Sequence, residues 1–400
     1  MNELNGMKNN AEMRTFIAIA IISALGVTSR SLLAPVEVRF LETLTSNTTL
    51  IGARYSILAL FFGIFSLIIG RASSKYGKKP FLIIGAVLAA IYPLLFAAST
   101  SIYQYIAFTI VAAFGGAALE PLLSSIIQDT LKKNGARGKY IGFYYALSAI
   151  MGSAGAYIGG ALADAYGLKA PYYAVAAVEM IAAILAIRFI LRFEKKKVHP
   201  LERQDIEKRE ILFSLKYILK DSALVFHLIL QTAFDFYGSM KNIVYPIAIF
   251  AVAKSNTATG SVFAAMGIVA MFVLPAAGHY IDKKGYFSGA KIGYLILGIS
   301  SLALAFSDNL PMFFLFASLF AVGEAIKGPM TGVIEIKRIK NSHRTELMGF
   351  YNAHSSFISI ISPLFAGALL AFMPPSKVLL IYSVFLWLGL FAGLIALKKK

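Results

Sequence analysis

Long apolar stretches, broken by short polar ones, follow one another along the whole of this 400-residue chain. A helix needs roughly 20 mostly apolar residues to cross the hydrocarbon core of a bilayer. A window of that length gives twelve spans, at 14–37, 48–70, 80–99, 101–127, 139–163, 170–192, 222–251, 258–281, 289–306, 310–334, 346–373 and 376–397. Barrel strands are excluded, because the runs are too long and lack the strict alternation of lipid-facing strands. The first span is read as retained rather than as a cleaved signal peptide. Its apolar stretch exceeds the usual ~7–15 residues, and no small-residue cleavage site stands out. The pattern predicts an all-α membrane protein with twelve transmembrane helices.

The longest polar run, FEKKKVHPLERQDIEKREILFSLKYILKD at 193–221, separates two six-helix halves, residues 1–192 and 222–400. Within it Ile211, Leu212, Leu215, Ile218 and Leu219 recur at helical spacing. That fits either an amphipathic helix at the membrane interface or a plain solvated linker. The halves repeat internally. GRASSKYGKKP (70–80) follows span two and GHYIDKKGYFS (278–288) follows span eight. Gly70 and Gly77 map to Gly278 and Gly285 at an offset of 208, and Pro121 maps to Pro329 at the same offset. Gly142, Phe143 and Tyr144 map to Gly349, Phe350 and Tyr351 at 207, as Arg137 does to Arg344. Arg30 stands five residues before Pro35, and Lys241 five before Pro246. Parallel repeats of this kind place a binding site between the halves, near mid-membrane.

Composition agrees with the pattern. The chain is 58% hydrophobic and 14% charged, against roughly 25% charged for soluble domains. A soluble protein with this surface would aggregate. The net charge of +18 invites a nucleic-acid reading, but topology accounts for it better, since Lys and Arg collect in cytoplasmic loops. With the N-terminus inside, 30 of the 38 Lys and Arg fall at cytoplasmic ends and loops. Five fall outside or near it (Arg39, Arg54, Lys169, Lys254, Lys377) and three within spans (Arg30, Lys241, Lys327). Both termini are therefore expected in the cytoplasm, and no nucleic-acid partner is expected. The absence of cysteine excludes disulfides, thiol catalysis and Cys-based metal sites. No metal-ligand spacing and no phosphate-cradling glycine loop stands out, so no cofactor is expected and energy must come from a gradient.

A charge at the centre of a lipid-facing helix costs roughly 2.5–3.5 kcal/mol. Seven titratable residues lie well inside spans: Arg30, Glu120, His227, Asp235, Lys241, Glu324 and Lys327. Facing lipid, they would cost about 20 kcal/mol together, beyond the usual stability of a domain. They must face protein or water. All seven belong to spans one, four, seven and ten. Helical phase gathers them into polar stripes. Span seven aligns His227, Gln231, Asp235, Gly238, Lys241, Asn242 and Tyr245. Span one aligns Ser23, Arg30 and Glu37; span four, Thr109, Gly116, Glu120 and Ser124; span ten, Glu324, Lys327, Gly328, Thr331 and Glu335. Such stripes fit a wet pathway, or polar glue between helices; Glu324 and Lys327, at i and i+3, could be an internal pair. Glu179 in span six and His354 in span eleven fall outside the stripes. The span-five glycines are read as permitting close helix packing.

These features resemble the major facilitator superfamily across nearly the whole chain. The family's loop motif after span two stands here as Gly70, Arg71, Lys75, Gly77, Lys78 and Lys79, with Ser74 in place of the usual acid; the second copy keeps the acid as Asp282. Span five carries Gly152, Gly155, Ala156, Gly159 and Gly160, similar to the glycine-rich motif of the drug:proton antiporter branch, with Ala156 in place of a proline. That branch's span-four arginine is absent, Val111 and Ala112 standing there. The resemblance implies two pseudo-symmetric halves, a cavity lined by spans one, four, seven and ten, and a cytoplasmic gate. The gate residues would be Gly70, Arg71, Gly77, Lys78, Arg137, Gly278, Asp282 and Gly285, with Asp282 approaching Arg137 when that side is closed.

Secondary active transport of a small organic solute across the cytoplasmic membrane by alternating access is the leading reading. Proton coupling through Glu120, Asp235 or Glu324 is favoured, with a leaning to efflux. Glu120, with no basic residue on its own helix face, is the foremost proton carrier. Arg30, Gln231, Asp235, Lys241, Asn242 and Lys327 are the candidate substrate contacts. Arg30 and Lys241 would bind an anionic end of the substrate, with Asp235 or Glu37 as the acids that hold them otherwise. Uptake by symport is the alternative, and a non-transporting sensor or scaffold the alternative of a different class. The expected partners are the solute, protons and the lipid bilayer, around a monomer that is no enzyme.

Overall fold

The computed structural model describes residues 10–131, 137–192, 211–340 and 343–398. Among these there are fourteen helices and no strand. They are α1 (Asn10–Leu33), α2 (Glu37–Leu44), α3 (Thr48–Tyr76), α4 (Lys79–Ala98), α5 (Ile102–Leu131), α6 (Arg137–Tyr166), α7 (Ala170–Arg192), α8 (Ile211–Leu219), α9 (Ser222–Ala253), α10 (Asn256–Lys284), α11 (Tyr286–Ala305), α12 (Leu310–Arg338), α13 (Arg344–Leu370) and α14 (Pro375–Lys398). All but α2 and α8 are long and apolar enough to cross a membrane. The chain forms helices here because a lipid-buried backbone must satisfy its own hydrogen bonds. Polar side chains start several of them. Asp221 accepts from Ala223 N at 2.8 Å at the head of α9, Ser255 from Ala258 N at 3.1 Å at α10, and Asn309 from Met312 N at 3.0 Å at α12.

One segment departs from the sequence expectation, and another takes one of the two forms expected of it. The first span stops at Leu33, not at 37, because Pro35 cannot donate to the helical ladder and disfavours helix at the residue before it. The chain re-enters as α2, whose Val38, Phe40 and Leu41 are buried. In the linker, residues 193–210 lie outside the described residues, but 211–219 form the helix α8. It buries Ser214 and Ile218 and leaves Leu215 and Leu219 exposed. The Tyr217 hydroxyl accepts from Lys340 N at 3.4 Å.

Packing separates into two units, Met1–Leu44 with Ile57–Gln204, and Thr45–Ser56 with Asp205–Lys400. In the first, α1 packs on α6 and α7, and α4 on α5 and α7. In the second, α9 packs on α13 and α14, and α11 on α12 and α14. The two lists match helix for helix under the sequence repeat. Gly77 and Gly285 take φ of +84° and +83° at the equivalent turns, a conformation that favours glycine. Glycines repeat at the interfaces too. A Cβ on Gly85 of α4 would lie 2.8 Å from Ala118 Cβ on α5, and one on Gly323 of α12 would lie 2.8 Å from the Gly293 carbonyl on α11. Gly85 and Gly115 precede Gly293 and Gly323 by 208 residues each. Within the second unit, the start of α3 lies on α13, where Thr48 Oγ1 donates to Gly367 O at 2.7 Å and Ser56 Oγ to Ile360 O at 2.5 Å.

The glycine-rich stretch of α6 is a packing surface. Gly152 faces Val27 and Ser31 of α1, a Cβ on Gly155 would stand 2.8 Å from the Thr28 carbonyl, and one on Gly159 would drive into the Leu32 carbonyl. Backbone atoms there cannot rotate away as a side chain could. Gly159→Ala should therefore destabilise by about 1–3 kcal/mol. Gly63→Ala, with open space around its Cα, should be neutral or slightly stabilising by up to ~1 kcal/mol. Melting temperatures of the purified variants in detergent test the contrast, and equal values would refute it.

Candidate functional site

In the first unit, α1 and α5 bring two charges together. Arg30, in the last turn of α1, donates through Nη1 to Glu120 Oε1 of α5. Both side chains are about half exposed, 56% and 46%, so the pair meets solvent. Glu120 thus has a cation, supplied by a neighbouring helix rather than by its own face. Glu179 of α7 approaches the same place from inside the unit. It is buried, meets the Ser29 hydroxyl and lies within electrostatic range of Arg30 and Glu120. Other members of the expected stripes are elsewhere. Glu37 belongs to α2, where it accepts from Tyr105 Oη at 2.8 Å, because the break at Pro35 takes it off the face of Arg30. Thr109 is buried and turned onto the Tyr105 carbonyl. Gly116 faces Phe62, and the Ser124 side chain lies outside the described residues.

In the second unit, α9 and α12 exchange two pairs. Lys241 Nζ donates to both Glu324 oxygens, at 2.8 and 3.0 Å. Lys327 Nζ lies 3.4 Å from Asp235 Oδ1 and 3.6 Å over the Phe234 ring, a contact worth about 0.5–2 kcal/mol. The expected pairing of Glu324 with Lys327 along one helix is not what forms. Each acid reaches across to the other helix, where a counter-charge can approach end-on. The acid that holds Lys241 is Glu324, not Asp235 or Glu37. Side chains of these two pairs are 14–31% exposed, much drier than the pair in the first unit.

The long polar face of α9 divides among three neighbours. His227 is buried, 3.3 Å from Glu335 of α12 and 4.7 Å from the Tyr351 ring. Gln231 Nε2 donates to Ser355 Oγ of α13 at 2.7 Å, and Ser355 in turn donates to Asp235 Oδ2. Thr232 Oγ1 lies 2.8 Å from His354 Nε2. Tyr245 is buried in an aromatic core with Tyr237, Phe263 and Phe320, off the polar path, while Asn242 is exposed. On α12 Gly328 is exposed, and Thr331 donates back to the Gly328 carbonyl at 2.8 Å. The helix α13, absent from the expected lining, supplies His354 and Ser355. A spacing signal for it exists in the run of hydroxyls at 355, 356, 359 and 362.

The expected gate residues lie at helix ends. Arg71 and Asp282 are exposed near the ends of α3 and α10, Lys78 heads α4, and Gly70 and Gly278 have open space around them. The side chains of Arg137 and Ser74 lie outside the described residues.

Twelve membrane-length helices and interhelical charge pairs inside them define a multi-pass membrane transporter. The Major Facilitator Superfamily family model matches residues 19–304 and 236–399. The chain belongs to that superfamily. An uncharacterized MFS-type transporter of Methanocaldococcus jannaschii is 24% identical over 359 residues, covering 88% of this chain and 91% of its own. The tetracycline resistance protein, class H, of Pasteurella multocida is 25% identical over 383 residues, covering 94% and 92%. Among solved structures, the nucleoside transporter NupG superposes with a TM-score of 0.78 at 14% identity, covering 96% of this chain and 100% of that one.

The two kinds of pair should differ in strength. Exposed ion pairs couple by about 0.2–1 kcal/mol, and breaking a fully buried one costs about 3–5 kcal/mol. A double-mutant cycle on Lys241→Met and Glu324→Leu should give a coupling of about 1–3 kcal/mol, between those limits. The cycle on Arg30→Gln and Glu120→Gln should stay below about 1 kcal/mol. Unfolding of the purified variants in detergent measures both, and a larger coupling at Arg30–Glu120 would contradict the ranking.

Proposed function

We propose that this chain is a proton-coupled exporter of a small organic solute. Its halves, 1–192 and 222–400, alternate access to the solute, with both termini in the cytoplasm. The observation that carries proton coupling is that each of the acids Glu120, Asp235 and Glu324 faces a cation from another helix. A proton on such an acid cancels the attraction, frees the cation and loosens the two helices from each other. Proton binding is thereby tied to helix rearrangement, as coupling requires. Glu120 is the group best placed to exchange protons with water, because its pair is the most exposed of the three. The export direction is supported by the span-five resemblance and by the relatedness to a tetracycline resistance protein.

The three acids and three cations balance, so charge counting names no substrate class. A solute with a carboxylate or phosphate group would have to displace Glu120 from Arg30 or Glu324 from Lys241. That competition is the form in which the two cations would read an anionic end.

The test is flux in reconstituted vesicles under an imposed pH gradient, with tetracycline, a lipophilic cationic dye, a nucleoside, an amino acid and a sugar as probes. At least one probe should move against the proton gradient's direction and accumulate only while the gradient lasts. Glu120→Gln should abolish that accumulation and flatten its pH profile. Co-directional movement would reverse the direction assigned here. Accumulation and pH profile unchanged in Glu120→Gln would remove Glu120 from the coupling path.

A further inference from the structure

Glu179 is a buried carboxyl group that the reading above leaves without a role. It stands in the middle of α7, only 7% exposed, among buried Val175, Ala176, Ala182 and Ala183. Its hydrogen-bond partner is Ser29 of α1, itself fully buried. Ser29 has one hydroxyl hydrogen, and the hydroxyl donates it to the Leu25 carbonyl at 3.1 Å. That hydroxyl is a neutral partner and brings no counter-charge to Glu179.

Counter-charge for Glu179 is scarce. The charges acting on Glu179 are Arg30 of α1 and Glu120 of α5. Among the described side chains, the other packed helices add none at its level. On α4 the buried face is Ala86, Ala89 and Pro93, and its ionisable groups are Lys79 at the far end and Tyr92. On α6, Tyr145, Tyr157, Asp164 and Tyr166 are exposed, and Tyr144 packs beside Phe16, Ile19 and Ala20. On α7 itself, Tyr172 is bonded to Tyr105. One cation therefore stands among two carboxylates, and the exposed carboxylate already holds it. An ionised Glu179 would be a buried, uncompensated charge. In the second unit each of the carboxylates Glu324 and Asp235 has a lysine of its own, Lys241 and Lys327. The repeat position of Glu179, 208 residues on, is Trp387, whose indole donates to the Gly298 carbonyl at 3.0 Å.

We propose that Glu179 is a second proton-binding site, which shares Arg30 with Glu120. A proton arriving on Glu120 releases the guanidinium, Arg30 swings to Glu179, and Glu179 gives up its proton. One proton is taken and one is released, and the cation moves between them. The idea rests on the proton-coupled reading of Arg30 and Glu120, and supplies the partner that passes the proton inward from the exposed pair.

Infrared difference spectroscopy of the reconstituted protein, titrated with acid and base and no solute, tests it. A protonated carboxyl band should be present at neutral pH and absent in Glu179→Gln; Glu179→Asp should restore it at a shifted frequency. Because Arg30 is shared, Glu120→Gln should lower the pH at which the band disappears by about one unit or more, and Arg30→Gln should raise it by as much. A purely structural Glu179 would show neither opposed shift. A band that survives Glu179→Gln, or a titration indifferent to Glu120 and Arg30, would overturn the proposal. Absence of gradient-driven flux in the unaltered protein, with the band and its opposed shifts intact, would instead count against proton coupling alone.

Discussion

Inside a membrane a charge cannot be left to solvent, and in each of the pairs found here the counter-charge comes from another helix. Arg30 binds α1 to α5, while Lys241 and Lys327 bind α9 to α12 in opposite senses. These are the first and fourth spanning helices of each unit, so the same electrostatic tie recurs in both. A tie of this sort resists rotation of one helix against the other. It is also the tie that a proton can undo. Under the proposed proton coupling, stability and coupling draw on the same few side chains, so substitutions there would disturb both.

The helices can stand close enough for such ties because glycine removes the side chain from the contact. Lipid tails are as apolar as leucine, so hydrophobicity does little to bring helices together, and close packing must do more. The span-five glycines of α6 let it rest on the backbone of α1, next to the turn that carries Arg30. Gly85 and Gly115 do the same between α4 and α5, on the helix that carries Glu120. Small residues therefore set the geometry within which the charges meet.

The sequence made the spans legible because an apolar run of bilayer length has few other uses. It made the loop glycines legible because Gly77 and Gly285 satisfy the same backbone demand. The packing glycines Gly293 and Gly323 carry a comparable signal, the constant separation of 208 residues from Gly85 and Gly115. What helical phase could not supply was the partner of each charge. It shows what shares a face of one helix, and so pointed Glu324 to Lys327 and left Glu120 alone. The true partners, Lys241 and Arg30, sit on other helices, at separations of 83 and 90 residues. Phase also failed at Glu37, because it assumes an unbroken helix, and Pro35 ends α1 before that residue. It failed at Tyr245 because a hydroxyl can be satisfied in an aromatic core, here 3.1 Å from Tyr237 Oη.

The two units share their architecture but not their charge balance. Between α9 and α12, Lys241 and Lys327 meet Glu324 and Asp235, and the network is extended by Gln231 of α9 and Ser355 of α13. Such a network is satisfied as it stands, and a proton entering it leaves a cation without a partner. Around α1 and α5, one cation meets an exposed carboxylate with a buried one behind it. There, a proton entering from water leaves the cation somewhere to go. The first unit is therefore the one in which a cation released from its acid has a second carboxylate within electrostatic range. Internal repetition supplied both units with the same helix contacts. The difference between them includes the position that holds Glu179 in the first and Trp387 in the second, a carboxyl group in one and an indole bonded to the Gly298 carbonyl in the other.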